Sequence, residues 1–554
     1  MLSSPSLKRV FAAALAVIVV AVVLGVARRD AAVPSAAVTA GAPKSGKQDW
    51  TMFGGTLARN MANTAVKGLP TEWSTDEKDA RNVKWVADLG SKAYGGPIVA
   101  AGRVLLGTNN QHPRDKKDID PKTKQPIDLG VLMCFEEGSG KFLWQQTFPK
   151  LEAGRVVDWP KEGLCSTPVV DGDRMYFVSN RCEVVCTDLN TGKSQWKLDM
   201  IKKLGVFPHN ISDCSPLLVD GYLFVVTSNG VDEDHINVPA PKAPSFIKVD
   251  KTDGRVVWQN NEPSVNLTRP IKKSEVEFFK RLVNRAELLQ HGQWANPSYA
   301  VVDGQPQVIF PGGDGWIRAF DPQSGKLIWK FDCNPKDAEY ELQGRGTRSD
   351  FIATPVIYKN RVYIGVGQDP EHNPGVGHLW CIDMTKKGDV SPELVTDNTV
   401  WPPKTEKNPN SAMVWHYGGP IKDAKERKKL GRNFYFGRTM STCAIHDGLC
   451  YAAQLLGVIH CLDADTGKVY WEHDTRAQSW SSPYYADGKV YFGNDDNTVY
   501  VFAHGKQKKI LAQNLMEPDG ASRVRATPIA ANGVLYVMTE NKLYAIAEGA
   551  GKKK

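Results

Sequence analysis

The stretch Val458–Trp471, VIHCLDADTGKVYW, contains the pattern that decides the fold. It predicts a short apolar strand, a tight turn around Gly467 and a second strand that ends at Trp471. Glycine supplies the positive φ angle that such a turn needs, and the acidic and hydroxyl residues beside it can hydrogen bond to the turn backbone. The stretch therefore reads as a β-hairpin whose outer strand ends on a large aromatic side chain.

This hairpin is repeated along the chain. Five copies place a glycine four residues after an acid and a tryptophan four residues after that glycine; the tryptophans are Trp144, Trp196, Trp258, Trp329 and Trp471. Because one hairpin cannot bury its own apolar face, repeated units must stack on one another. We expect each of these tryptophans to dock against the neighbouring unit.

A second strand pair precedes each hairpin. In Ser166–Val178, a Ser-Thr-Pro start leads into a strand, a two-residue turn and another strand, and eight such starts occur between Gly96 and Thr527. The eighth unit has no outer strand of its own, and Val83–Leu89 has the composition of one. The sequence therefore predicts an all-β, eight-bladed β-propeller of four-stranded antiparallel blades, in which the N-terminal strand closes the ring.

The N-terminus has a different composition. Residues Phe11–Ala27 are 17 uncharged residues flanked by basic pairs, a length suited either to a transmembrane helix or to a cleaved signal segment. Both readings remain open, and both export the rest of the chain. We divide the chain into a membrane anchor or signal segment (1–29), a flexible tether (30–48), the propeller (49–548) and a basic tail (549–554).

Composition limits the classes of function. The 554 residues are 42% hydrophobic and carry a net charge of +8, part of it in the terminal tails, so a basic face for nucleic acid is not indicated. Four of the ten cysteines fall at the same buried strand position of the repeat, which favours core packing over disulfides. We expect a monomeric propeller outside the cytoplasm.

The long insertions predict the binding face. With strands A to D counted from the axis outward, the A–B and C–D turns are short, whereas B–C and D–A connections are long and lie on the opposite face. We therefore expect all the elaboration on one face. The insertions are Asn109–Gly130, Gly230–Ser245 and Gln368–His378 (B–C) and Lys150–Leu164, Asn260–Gln293, Asn334–Ile352 and Lys386–Met440 (D–A).

The D–A connections lead into the innermost strands, so their last residues should ring the mouth of the axial channel. Arginine in such a funnel suits a carboxylate, a phosphate or an acidic peptide. The alternative is that these arginines bridge adjacent blades. The candidate ligand-binding residues are His209, Asp213, His291, Trp294, Arg345, Arg348, Asp350, Arg438, Arg476, Trp480, Arg523 and Arg525.

Two insertions contain further features. Residues from Ser274 to Leu289 have a capping residue and an apolar stripe, and they predict a helix that packs on the disc as a lid. The loop Gln368–His372 contains Asp, Glu and His, but its spacing matches no standard metal site. No catalytic residue and no metal site are predicted, because the chain also lacks the common catalytic motifs.

The repeated Asp-x-x-Thr-Gly-Lys-x-x-x-Trp hairpin resembles the repeat of the pyrroloquinoline-quinone (PQQ)-type propellers. The entry segment Asp49–Gly55 resembles the one that often precedes such propellers, and the likeness covers about residues 49 to 548. The resemblance implies an eight-bladed propeller with tryptophans between blades. The family includes PQQ- and calcium-dependent alcohol dehydrogenases and also non-enzymatic envelope proteins such as BamB. The long-insertion form resembles envelope propellers of planctomycete-type bacteria.

The dehydrogenases of this family carry two adjacent cysteines over the cofactor, whereas the nearest pair here is Cys182 and Cys186. We therefore expect a membrane-tethered or periplasmic propeller that binds an envelope protein on its elaborated face and needs no cofactor. One alternative is an alcohol dehydrogenase-type oxidoreductase that uses PQQ with calcium. Another is a sensor or carrier of an anionic small molecule in the funnel.

Overall fold

The computed structural model describes residues 48–151, 159–233, 237–264, 291–338, 347–368, 375–397, 399–400, 402–517 and 522–551. The predicted anchor, nearly all of the tether, the predicted lid helix and Arg345 lie outside these residues. The described residues belong to one compact unit, Pro43–Lys554. None of the helices in the described ranges combines the length and the apolar character needed to cross a membrane.

The predicted eight-bladed, all-β architecture is confirmed: eight sheets follow one another along the chain, each built around an antiparallel meander. The strands read as alternating or continuous runs of Val, Ile, Leu, Phe and Tyr, which suits sheets that are buried between two neighbours. Two strands precede the first complete blade, β1 (Ala62–Asn63) and β2 (Val83–Asp88).

The first four blades follow in chain order. The strands of blade 1 are β3 (Ile98–Ala100), β4 (Arg103–Asn109), β5 (Leu129–Glu136) and β6 (Phe142–Pro149). Those of blade 2 are β7 (Val169–Asp171), β8 (Arg174–Ser179), β9 (Glu183–Asp188) and β10 (Ser194–Asp199). Those of blade 3 are β11 (Leu217–Val219), β12 (Tyr222–Val226), β13 (Phe246–Asp250) and β14 (Val256–Asn260). Those of blade 4 are β15 (Ser298–Val302), β16 (Gln305–Pro311), β17 (Trp316–Phe320) and β18 (Leu327–Asp332).

The second half of the ring repeats the plan, with one interruption. Blade 5 has β19 (Val356–Tyr358), β20 (Arg361–Val366) and β21 (His378–Asp383), then an insertion with β22 (Gly388–Asp389), β23 (Glu393–Asp397) and β24 (Lys404–Lys407), and then β25 (Met413–Gly418). Blade 6 has β26 (Ala444–His446), β27 (Leu449–Ala453), β28 (Val458–Asp463) and β29 (Val469–Asp474). Blade 7 has β30 (Tyr484–Ala486), β31 (Lys489–Gly493), β32 (Thr498–Ala503) and β33 (Ile510–Leu515). Blade 8 has β34 (Ile529–Ala531), β35 (Val534–Met538) and β36 (Lys542–Ile546).

The N-terminal strand closes the ring, as the sequence predicts. Strand β2 pairs antiparallel with β36, with Trp85 opposite Ala545 and Asp88 opposite Lys542. Blade 8 thus takes three strands from the C-terminal end of the propeller and one from its beginning. This closure joins the two ends of the repeat array through backbone hydrogen bonds and leaves no open blade edge between them.

The prediction that all the elaboration lies on one face is wrong. Residues 386–440 are not one D–A connection, because β25 within them is the outermost strand of blade 5 and pairs with β21. The residues between β21 and β25 are therefore a C–D insertion on the tight-turn face, and they include the hairpin β23–β24. The cause is local: no glycine follows Asp383 after four residues, so the usual turn cannot form there.

Within the described ranges, two short α-helices lie in the D–A connections. Helix α1 (Met200–Leu204) follows the outermost strand of blade 2, and helix α2 (Ala424–Leu430) lies between blades 5 and 6. Both begin with an aspartate whose side chain accepts a backbone hydrogen bond and end at a glycine in the left-handed conformation, Gly205 and Gly431. Helix α2 has no buried residue, and its sequence AKERKKL makes it a basic projection of this face.

Most of the outer-strand tryptophans dock on the next blade in the same way. The indole of Trp144 donates to the carbonyl oxygen of Leu189 at 3.2 Å and covers Gly192. A Cβ atom on Gly192 would lie 2.6 Å from that indole, so the turn glycine is required for space as well as for its φ of +68°. The other indoles that donate to the next blade in this way are those of Trp85, Trp196, Trp258, Trp415 and Trp471.

Trp329 makes a different contact. Its indole donates to the side-chain oxygen of Gln307 in its own blade at 2.8 Å, and the Gln307 amide donates to the carbonyl oxygen of Met384 in blade 5 at 3.1 Å. Met384 follows Asp383 directly, which is the position of the carbonyl used in most other blades. The glutamine thus bridges the tryptophan to the next blade, and strand β22 of the insertion pairs with β18 beside Trp329.

Residues 49–63, which we call the axial segment, fill the centre of the ring. The segment contacts the blades nearly in order: Trp50 pairs with Val99 of blade 1, Thr51 accepts from Val170 of blade 2, and Leu57 accepts from Tyr299 of blade 4. Further backbone or side-chain bonds from the segment reach Ile357, Cys443, Ile445, Tyr485 and Ala530 in blades 5 to 8. The inner edges of the innermost strands, which a ring leaves unpaired, are thereby hydrogen bonded.

Arg59 of the axial segment reaches the remaining blade. Its side chain is fully buried and donates to the carbonyl oxygens of Pro297 at 2.9 Å and of Ser215 and Pro216 at 3.0 Å. A fourth bond, of 2.8 Å, goes to Phe53 within the segment itself. Burial lowers the pKa of Arg59 to about 10. Four carbonyl oxygens thus replace the water that a guanidinium normally requires, and they join blades 3 and 4 to the segment.

Candidate functional site: the axial cup

A cavity of about 110 Å³ lies on the axis above Phe53 of the axial segment. We call it the axial cup. Every blade contributes to its wall from the residues just before its innermost strand. The wall residues are Tyr94, Gly95, Cys165, Thr167, Asp213, Ser215, Trp294, Asn296, Ile352, Thr354, Met440, Thr442, Trp480, Ser482, Arg525 and Thr527.

The lower wall is a ring of small polar side chains that link adjacent blades. The backbone N–H of Thr167 donates to Ser215 Oγ at 3.0 Å, and that of Ser215 donates to Asn296 Oδ1 at 2.6 Å. The N–H of Ser482 donates to Thr527 Oγ1 at 2.9 Å in the same manner. These hydroxyl and amide groups belong to the residues that directly precede the proline at the start of these innermost strands. The sequence pattern marks their positions but does not show that they bond across blades.

Four of the predicted site residues line the cup: Asp213, Trp294, Trp480 and Arg525. Arg525 is held by neighbours rather than free for a ligand. Its guanidinium forms two bonds to the carboxylate of Asp495, at 3.1 and 2.9 Å, and a third to Tyr94 Oη at 2.7 Å. It also lies over the Trp480 ring, 4.8 Å from the centroid. A bidentate pair of this kind fixes the guanidinium in place.

Two residues of the cup wall each have a buried polar atom without a hydrogen-bond partner among the described residues, Asp213 Oδ1 and Trp480 Nε1. Burial raises the pKa of Asp213 well above its usual range. Burial therefore favours the protonated form of its carboxyl group, which offers an O–H donor and a carbonyl acceptor. The indole N–H of Trp480 is an uncharged donor.

His209, His291 and Asp350 lie together behind Trp294. The Nδ1 atom of His291 is 3.1 Å from Asp350 Oδ2, and the rings of His209 and His291 meet edge to face with centroids 4.8 Å apart. The indole of Trp294 donates to the carbonyl oxygen of His209 at 3.1 Å. The three residues hold the tryptophan against the cup. They form a packed aromatic and polar cluster that joins blades 3, 4 and 5.

The other arginines of the predicted funnel do not line the cup. Arg348 donates to the carbonyl oxygen of Asp314 at 3.1 Å and lies 3.6 Å from the carboxylate of Asp332. Arg438 is buried, and its backbone pairs with Gly375 and Leu455. Arg476 and Arg523 are exposed. Of the six arginines, Arg348 and Arg525 are bonded within the protein, Arg438 is buried, and Arg476 and Arg523 are exposed to solvent. Arg345 lies outside the described residues.

The cup does not fit PQQ with calcium. Cofactor sites commonly enclose roughly 300 to 1,000 Å³, whereas the cup encloses about 110 Å³ above its Phe53 floor. Asp213 is the one carboxylate among the described residues of its wall, and its raised pKa makes it a poor ligand for a hard cation. All ten cysteines are free thiols, and Cys165 is the one that the wall contains.

Comparison with known proteins gives a family. The family model described as "Outer membrane protein assembly factor BamB" matches residues 128–402 and 313–554. The chain belongs to the BamB family. The outer membrane protein assembly factor BamB of Yersinia pestis is 22% identical to it over 358 residues, covering 60% of this chain and 83% of that protein.

Solved propellers support the same fold. The quinohemoprotein alcohol dehydrogenase of Comamonas testosteroni superposes with a TM-score of 0.56 at 12% identity, covering 92% of this chain and 82% of that one. A second one, ADHIIG from Pseudomonas putida HK5, gives a TM-score of 0.53 at 14% identity, covering 91% and 81%. BamB from Moraxella catarrhalis is also similar, with 13% identity over 83% of this chain and 97% of that chain and a TM-score of 0.48. At these identities the likeness to the two dehydrogenases shows the fold alone.

Proposed function

We propose that this chain is a non-enzymatic binding scaffold of the cell envelope, tethered to a membrane or released into the periplasm, that docks a protein partner on the face bearing the B–C and D–A insertions. The observation that carries the proposal is the axial cup. It is small, its arginine is bonded to protein groups, and burial disfavours the charged form of Asp213, the one carboxylate among the described residues of its wall. The cavity on the axis is thus narrow, and Phe53 of the axial segment forms its floor, which leaves little space for a reacting molecule.

Membership of the BamB family supports a role in assembly through contact with other proteins. The insertion face offers a surface for such contact, because helix α2 projects from it with no buried residue and a run of basic side chains. A basic projection favours a partner with an acidic surface through complementary charge. On the opposite face, Lys387 and Lys407 of the C–D insertion are exposed in the same way and offer a matched control.

The test compares charge reversal on the two faces. Lys428→Glu with Lys429→Glu alters α2, and Lys387→Glu with Lys407→Glu makes the same change in net charge on the tight-turn face. Proteins bound to each full-length variant in native envelopes are crosslinked and quantified. We expect the α2 variant to lose its partner and the control to retain it. Loss confined to the tight-turn variant would overturn the choice of face.

Export is tested separately. The full chain is expressed with its N-terminus intact, and intact cells are compared with cells whose outer membrane has been opened, each treated with protease. We expect protection in the former and cleavage in the latter. If the protein resists the protease in both samples and is cleaved only after full lysis, an extracytoplasmic position is contradicted.

The oxidoreductase alternative has its own test, a titration of the propeller with PQQ and calcium followed by quinone absorbance and melting temperature. The volume of the cup predicts no saturable binding and an unchanged melting temperature. Saturable binding with a raised melting temperature would replace the scaffold proposal with an enzymatic one.

A second candidate, a carrier of a small polar molecule, rests on the two unpartnered polar atoms at the cup, Asp213 Oδ1 and Trp480 Nε1. The matching ligand is small, neutral and able both to donate and to accept hydrogen bonds. Asp213→Leu removes the carboxyl group at similar size. Loss of binding of a small polyol or amide in this variant, detected by calorimetry, would support the carrier; absence of binding in the unaltered chain would exclude it for these probes.

A further inference from the structure

Two histidines and an aspartate meet on the tight-turn face, away from the axial cup. His446 is the last residue of β26 in blade 6, Asp447 follows it in the A–B turn, and His504 follows β32 in blade 7. One ligand atom from each lies within 4.8 Å of the other two. His446 Nε2 and Asp447 Oδ2 lie 3.2 Å apart. Neither the cup nor the proposed partner surface uses this cluster.

The two imidazoles are held in place by aromatic neighbours. The ring of His446 stacks on Tyr485 with centroids 4.1 Å apart, and the ring of His504 meets the same tyrosine edge to face at 4.9 Å. The backbone N–H of His504 also donates to Gly488 at 2.9 Å. Groups that are already ordered lose little conformational freedom when they bind a ligand.

One nitrogen of His504 is already occupied. Its Nδ1 atom lies 2.9 Å from Tyr451 Oη, which also accepts the N–H of Gly505 at 3.1 Å. The carbonyl of Gly505 in turn accepts the indole of Trp471 at 3.0 Å. A metal-binding histidine commonly donates its second N–H to an oxygen. In the His504 tautomer that carries its proton on Nδ1, Tyr451 Oη accepts that proton and Nε2 is left for the ion.

The chemistry of the three groups matches a transition metal. Two imidazole nitrogens and one carboxylate oxygen suit Zn²⁺ and its neighbours, whereas Ca²⁺ and Mg²⁺ prefer oxygen alone. The Asp447 side chain is 73% exposed, so water can occupy a fourth position.

We propose that His446, Asp447 and His504 bind one divalent transition-metal ion, with Zn²⁺ as the best match, and that the ion joins blade 6 to blade 7. Ligand atoms around tetrahedral zinc lie about 3.3 Å apart, from bond lengths near 2.0 Å. His446 Nε2 and Asp447 Oδ2, 3.2 Å apart, already have this separation. Because all three ligand atoms lie within 4.8 Å of one another, binding an ion requires any pair to approach by at most about 1.5 Å.

The test uses full-length protein without an affinity tag, since a histidine tag binds zinc itself. After the protein is stripped with a chelator, Zn²⁺ is titrated by calorimetry, and Co²⁺ is titrated while visible absorbance is followed. We expect one equivalent of each ion, a tetrahedral cobalt spectrum and a melting temperature raised by zinc but not by Ca²⁺. Failure to bind zinc or cobalt overturns the proposal.

Variants locate the ion. His504→Gln and Asp447→Asn should each weaken zinc binding at least tenfold. His112→Gln, which changes an exposed histidine outside the cluster, should leave it unchanged. Asp447→Asn guards against loss by misfolding, because asparagine tolerates the positive φ of 46° at this exposed turn position. Tyr451→Phe should weaken binding by roughly 10- to 100-fold if Tyr451 positions His504. Zinc binding that persists undiminished in a His446→Gln/His504→Gln double variant would refute the site.

Discussion

The guanidinium of Arg59 donates to the carbonyl oxygen of Pro297 across 238 residues of sequence, at the centre of a ring of eight blades. This single side chain contacts blades 3 and 4 from inside the axial segment. Polar contacts between a buried cation and backbone carbonyls are rarely readable from sequence. They nevertheless determine how the middle of this propeller is closed.

Arg59→Met should destabilise the propeller strongly. Methionine keeps much of the volume but leaves the carbonyl oxygens of Pro297, Ser215 and Pro216 without their donor in a buried place. Unsatisfied buried groups cost about 1 to 3 kcal/mol each, so a loss of about 3 kcal/mol or more is expected. Urea denaturation measures it. Arg476→Met, an exposed control, should change stability by less than about 0.5 kcal/mol.

Gln307→Met should weaken the contact between blade 4 and blade 5. The change leaves the indole N–H of Trp329 and the carbonyl oxygen of Met384 unpaired, and we expect a loss of about 2 to 4 kcal/mol. The melting temperature, read with tryptophan fluorescence, reports both the stability and the environment of the indole. Gln323→Met, at an exposed position of the same blade, is the control. Equal stability of the two variants would show that the bridge contributes nothing.

Gly192→Ala and Gly172→Ala separate backbone strain from crowding. Both glycines have positive φ, +68° and +61°, but a Cβ on Gly192 meets Trp144 whereas one on Gly172 meets nothing within 4 Å. Strain alone costs about 1 to 2 kcal/mol, and overpacking adds about 1 to 3 kcal/mol. Chemical denaturation should therefore rank Gly192→Ala as clearly the more harmful. A Trp144→Ala background should erase the difference between the two glycine changes.

Mild acid should destabilise the fifth blade through His378 and His416. Burial lowers the pKa of His378 to about 3 and that of His416 to about 4, and the two rings lie 2.9 Å apart between Nδ1 and Nε2. The unfolded state, with a pKa near 6.5, binds protons first, so the stability held above pH 6.5 is lost as the pH falls toward 4. The slope is at most about 1.4 kcal/mol per pH unit for each ring.

Denaturation curves between pH 7 and pH 4.5 measure this slope. Carboxylates titrate in the same window, so the difference between variants is the informative quantity. A His378→Gln/His416→Gln variant should have a shallower slope than the unaltered chain, whereas His112→Gln should not. Identical slopes in all three would mean that these histidines are protonated in the folded protein.

Arg525→Met tests whether the funnel arginine has a structural role. Its partners Asp495 and Tyr94 would lose a charged donor, and Asp495 would remain as a half-buried unpaired charge. We expect a loss of about 2 to 4 kcal/mol in urea denaturation. Exposed Arg523→Met is the control. A stable variant that loses binding of an anionic small molecule would favour the sensor alternative instead.

The ring itself follows from the sequence because its signal is periodic. The Asp-Gly-Trp spacing and the Ser/Thr-Pro starts predict blade number and strand order, and the composition of Val83–Leu89 predicts the closing strand. Blade 5 departs from the spacing, since Trp415 lies 32 residues after Asp383 instead of eight. A pattern of fixed spacing cannot find such a strand, and the error placed an insertion on the wrong face.

The centre of the ring could not be predicted in the same way. Residues 49–63 have neither the period of a strand nor that of a helix, and their bonds go to residues hundreds of positions away. The sequence predicts a ring of funnel arginines, but the partners of Arg525 and Arg348, which are Asp495 and Asp314, lie on other loops. Which cations are paired depends on these distant contacts, and sequence alone does not give them.

The axial segment also sets an order for the synthesis of the molecule. Residues 49–63 leave the ribosome before any blade exists, yet the side chain of Asn63 awaits Ala530, 467 residues later. Strand β2 likewise waits for β36. Contacts of such sequence separation form late and slow the final step of folding. A chain that stops before blade 8 lacks Ala530, the acceptor for Asn63, and lacks β36, the partner of β2. Its N-terminal residues therefore stay exposed, and proteases and chaperones can distinguish it from a complete chain by them.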